Sequence, residues 1–77
     1  MSLRQLILND IQTLINKIVN EEEEFRSLYN IFKRCKKQQT IDRYIRFMNM
    51  SKEIINEYKE QIEKLETFLK IISFDSS

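Results

Sequence analysis

Residues 41–72 read IDRYIRFMNMSKEIINEYKEQIEKLETFLKII, and their spacing decides the fold. Ile41, Met48, Ile55, Ile62 and Leu69 recur every seven residues, and Tyr44, Ser51, Tyr58, Leu65 and Ile72 recur beside them. Every one of these except Ser51 can bury an apolar body. An apolar seam with a mean spacing of 3.5 residues marks a helix packed along its whole length against another helix. The sequence contains no Gly and no Pro, so nothing in it forces such a helix to stop.

The same pattern extends upstream. Ile11, Ile18, Phe25 and Phe32 share one seam position, while Ile7, Leu14, Leu28 and Cys35 share the other, with Glu21 as its charged exception. Ser2 followed by Gln5 fits a capping box, so a first helix is expected over about 3–37. Gln38, Gln39 and Thr40 are the expected turn, with Thr40 capping a second helix over about 41–72. Residues 73–77 are expected to fray. Two arms of similar length, each near 50 Å at about 1.5 Å per residue, predict an all-α antiparallel helical hairpin with coiled-coil-like packing. An alternative is a three-helix bundle broken near Asn20, where Asn20 and Glu23 could form a second capping box. Against it, the seam passes through residues 20–24 in phase, since Ile18 and Phe25 lie seven apart.

Seventy-seven residues make one domain at most, here 1–77. Ordering the backbone costs about 1–2 kcal/mol per residue, and burying a large apolar side chain returns only about 1.5–3 kcal/mol. Chains this short need a staple, a metal or an oligomer. One Cys excludes an intrachain disulfide, and with no His the usual zinc sites are excluded as well. Oligomerisation or a bound protein partner is therefore the expected completion. The apolar stretch near the N-terminus is too short for a membrane span, so a cytoplasmic or nuclear setting is expected.

Apolar residues also stand outside the seam. Leu8 and Ile15 flank one side of it on the first arm, and Phe47, Ile54 and Phe68 flank the second arm's seam. Leu3, Leu6, Ile71 and Phe74 add to an apolar terminal end. Apolar faces this wide pack against two neighbours rather than one. Leu8, Ile15, Ile54, Phe68, Ile71 and Phe74 are the expected contacts with a partner or a second copy. An ordinary bundle core is the plainer reading of the same residues.

The turn carries Lys33, Arg34, Lys36, Lys37, Arg43 and Arg46, opposed only by Asp42 and interleaved with Tyr29, Tyr44 and Phe47. That cluster could contact nucleic acid or an acidic surface. A net charge of +1 and a pI near 7.8 argue against it, and a solvated helix C-terminus accounts for four of the charges. Glu21 is expected close to Glu57 across the hairpin, where a charge in the seam would help fix register or oligomeric state.

Catalysis is not expected. No imidazole base exists, no glycine-rich phosphate loop can form, and no nucleophile–base pair can be assembled. Cys35 lies among four cations, a setting that favours thiol reactivity, but a lone Cys at a seam position more often packs as a small hydrophobe. No cofactor or metal is expected. The general plan resembles small secretion chaperones, helical scaffold subunits and phage-encoded inhibitors. Short phosphatases of response regulators are also hairpins, but their Ser-Gln-x-Leu-Asp run is absent here, so that activity is not carried over. The function expected from the residues is protein–protein interaction through apolar helix faces. The alternative is nucleic-acid binding at the basic turn.

Overall fold

The computed structural model describes residues 2–75, with side chains described through Ser73. It is a helical hairpin of α1 (Leu3–Arg34) and α2 (Gln38–Asp75), packed against each other along their lengths. The molecule is a rod measuring 60 × 16 × 13 Å. Its Cα radius of gyration is 17.6 Å, against about 11–12 Å for a compact domain of this length.

Burial follows the seven-residue seam. Ile7 and Leu14 are buried at 4% and 8% exposure, and Ser51 at 7%. Every other seam residue on either helix is half-buried, Glu21 and Cys35 included. Outside the seam only Thr40 and Ile54 reach that class, and all other described side chains are exposed. A two-helix rod has one contact line and no interior, so even seam residues keep part of their surface in water.

Ser2 caps α1 as its spacing predicts. Its backbone is extended, and its Oγ accepts from the Gln5 N–H at 3.1 Å. The Gln5 side chain does not complete the box. Its Nε2 donates to Asn9 Oδ1 at 3.0 Å, one turn further along. α1 passes through Asn20–Glu24 without interruption, which removes the three-helix alternative. Four glutamates are good helix formers, and Ile18 and Phe25 hold both flanks of the run on the seam.

The turn falls three residues earlier than expected. α1 ends at Arg34, and Cys35 leaves it in an extended conformation (φ −75°, ψ 137°) with its N–H bonded to the Phe32 carbonyl at 3.1 Å. Lys36 and Lys37 complete the connection, and Gln38–Thr40 form the first turn of α2. Thr40 is therefore not the cap. The Lys37 carbonyl accepts the first helical bond, from the Ile41 N–H at 3.0 Å. Gln38 Nε2 donates to Asp42 Oδ1 at 3.0 Å across that turn. Nothing in Gln38–Thr40 opposes helix, and starting early half-buries Thr40 over the end of the seam. At the other end α2 continues to Asp75, beyond the expected stop at Ile72, because Ser73 brings no breaker.

Candidate functional site

With the seam fixed by packing, the residues beside it are sorted onto two faces of the hairpin. One face contains a groove of about 820 Å³. Leu28, Ile31, Phe47, Met50 and Ile54 supply its apolar walls, and Asn20, Glu21, Glu24 and Ser27 make its polar end. The groove exists because two seam places at nearly the same level are not filled by large apolar groups. Ser51 is short, and Glu21 carries a charge that stays half in water.

The seven-residue repeat extends this groove face along the rod. Phe47, Ile54, Gln61 and Phe68 lie seven apart, as do Met50, Glu57, Lys64 and Ile71. On α1, Leu3 and Leu6 share lines with the groove residues Ile31 and Ser27. The exposed apolar side chains of this face form two groups. Leu3, Leu6, Phe68 and Ile71 stand at the terminal end, and Ile31, Phe47, Met50 and half-buried Ile54 stand toward the turn. A polar middle containing Lys17, Glu57, Gln61 and Lys64 separates them. Met50 and Ile71 are the most exposed, at 57% and 54%.

The opposite face is different. Leu8 and Ile15 share a line with Glu22 and Tyr29, which wall a second depression together with Phe25, Arg26, Lys52, Ile55, Asn56 and Lys59. Its exposed apolar surface lies mainly on α1 (Leu8, Ile15, Val19), while α2 presents Ile45 near the turn and then Lys52, Lys59 and Glu66 on the same line. The six expected contacts are thus divided. Ile54, Phe68 and Ile71 share the groove face, Leu8 and Ile15 occupy the other, and the Phe74 side chain lies outside the described residues. Ile31, Phe47 and Met50 were not among the expected contacts. The signal that marks them is the seven-residue line each shares with another apolar residue, Ile31 with Leu3, Phe47 with Ile54 and Phe68, and Met50 with Ile71.

Glu21 does not pair with Glu57. The α2 residues beside it in the groove are Ser51 and Ile54, and Glu57 is exposed almost a full turn beyond Ile54. Lys17 Nζ lies 5.8 Å from the Tyr58 ring centroid, bridging the helices and marking which levels of the two arms are opposite.

The six cations of the turn are all exposed. Lys33 and Arg34 occupy the last turn of α1, Lys36 and Lys37 the connection, and Arg43 and Arg46 the start of α2. Lys33 Nζ sits 5.8 Å from the Tyr29 ring centroid, and Arg43, Arg46, Phe47 and Met50 wall a shallow depression with Gln39 and Asp42. The free N–H groups at the start of α2 add their positive dipole end to the cluster. Among the described residues no group of three or more Cys, Asp or Glu is arranged to hold a metal, and no helix is long and apolar enough to cross a membrane. No protein-family model, curated protein or solved structure matches this chain.

Proposed function

We propose that this chain is a non-enzymatic protein–protein interaction module acting through the apolar faces of its helices, as an adaptor, a chaperone-like or inhibitor-like subunit, or a self-assembling bundle. The observation that carries this reading is the groove face, where Phe47, Met50, Phe68 and Ile71 stand about half exposed along one side of α2. Each such side chain forgoes burial at about 25 cal/mol per Å² of apolar area, and exposed apolar side chains grouped on one face mark an interaction surface. The decisive measurement is solution mass by light scattering over a wide concentration range, with helicity recorded on the same samples. A discrete helical oligomer, or a chain that folds poorly alone, agrees with the reading. A fully helical monomer with a cooperative melt at every concentration overturns it.

One observation favours a second reading, binding of nucleic acid at the turn. Six exposed cations and the amide end of α2 converge on one tip of the rod, with Tyr29 and Phe47 beside them. Its signature is affinity that falls steeply with salt.

A further inference from the structure

We infer that the occupant of the groove face is a second copy of this chain, docked antiparallel across a two-fold axis that passes near Gln61. This rests on the association reading above and gives it a partner and a geometry.

The first argument is the order of residues along α2. On one line of the groove face it runs Met50, Glu57, Lys64, Ile71. Reversed about a point between residues 60 and 61, Met50 meets Ile71 and Glu57 meets Lys64. The neighbouring line runs Phe47, Ile54, Gln61, Phe68, and reversed about Gln61 it places Ile54 on Phe68 and Gln61 on itself, while Phe47 falls level with position 75 at the end of α2 and gains no apolar mate. Between residues 50 and 71 both lines therefore become self-complementary at one common axis, apolar on apolar and acid on base. The contact of Lys17 with Tyr58 sets the corresponding level of α1 near residue 14. Asp10 and Lys17, on the same face, straddle that level with opposite charges, while Leu3 on their line falls opposite Glu24, so the match on α1 is confined to its middle and α2 carries the complementarity. An isologous interface requires this kind of self-complementarity.

Area gives the second argument. The chain exposes 6481 Å², whereas a compact monomer of 9.5 kDa exposes about 5,000 Å². The excess, roughly 1,400 Å², exceeds the approximately 800 Å² that each partner gives up in a standard interface. The groove face is the better able to spend it, because α2 brings Phe47, Met50, Phe68 and Ile71 there, whereas on the opposite face it brings Ile45 among Lys52, Lys59 and Glu66.

The third argument is direction. A parallel arrangement would put two tips of six cations side by side, where like charges repel. The antiparallel arrangement places the two basic tips at opposite ends of the pair and seats Phe68 and Ile71 against the partner's groove.

The test is cross-linking of the full chain with a short bis-maleimide, in a Cys35→Ser background so that each added thiol is the sole one. Gln61→Cys links to itself. Met50→Cys does not, because its copy lies about 30 Å away along the axis, but it links when mixed with Ile71→Cys. A parallel pair with its dyad along the rod keeps every residue level with its own copy, so Met50→Cys would link to itself and not to Ile71→Cys, and that outcome overturns the inference. Exposed charges give a second readout that leaves each hairpin intact. Glu57→Lys weakens dimerisation roughly tenfold, since the symmetry applies each lost pair twice. Adding Lys64→Glu to it restores the affinity. If the chain is a discrete dimer by light scattering but neither pattern appears, this geometry is wrong while association stands. A helical monomer removes both.

Discussion

At position 21 the seam carries a carboxylate, where Ile7, Leu14 and Leu28 on the same line carry aliphatic side chains. Glu21 stays half-buried at the polar end of the groove, with Ser51 beside it on α2. Half-burying a leucine there instead is worth about 1 kcal/mol. Glu21→Leu is therefore expected to raise the thermal midpoint by about 4–8 °C, read by circular dichroism at fixed concentration. An unchanged or lowered midpoint would mean that the carboxylate makes a compensating contact. The two non-apolar seam residues were both visible in the spacing. Their consequence was not, because which α2 residue stands beside Glu21 depends on where the turn falls. A turn at 38–40 would bring Glu57 beside Glu21, whereas the earlier turn brings Ser51 and Ile54 there instead.

At the scale of the element, each helix end reflects a different local solution. α1 starts with a side-chain cap from Ser2. α2 starts from Lys37, whose side chain has no acceptor to offer and whose charge opposes the positive end of the helix dipole. The start of α2 is thus under-stabilised, and no acidic residue lies in its first turn. Lys37→Asp supplies both an acceptor and the favourable charge, and is expected to add about 0.5–1 kcal/mol of stability. Thermal and urea unfolding would measure it, and a loss of stability would show that the Lys37 ammonium is needed at the tip. The cap at Ser2 was legible because its partner lies three residues away. The start of α2 was not legible, because Thr40 looks like the better cap and only the packing of Thr40 against the seam favours beginning a turn earlier.

For the whole molecule, shape and charge distribution matter more than any single residue. A rod 60 Å long keeps its six turn cations far from the terminal end, so a net charge of +1 hides a polar distribution. If the tip binds nucleic acid, affinity for single-stranded DNA falls as salt rises, and Arg43→Ala with Arg46→Ala lowers the log–log slope by roughly 1.4. Binding that ignores salt and survives both substitutions removes that reading. The same concentration of charge bears on assembly, because it penalises any arrangement that brings two tips together.

By itself the sequence determined that this chain is two long helices, and which residues form the line between them. A seven-residue repeat of apolar side chains, with no Gly or Pro, leaves the backbone no better way to bury them. Only the tertiary structure decided the position of the turn and hence the register of one arm on the other. It also decided the division of the off-seam residues into a groove face with exposed apolar side chains from both helices and an opposite face where they come mainly from α1. The physical reason is that the repeat fixes the angle at which a residue leaves its own helix, whereas its neighbours across the hairpin depend on where the chain reverses. A shift of three residues in the connection is enough to exchange Glu57 for Ser51 beside Glu21.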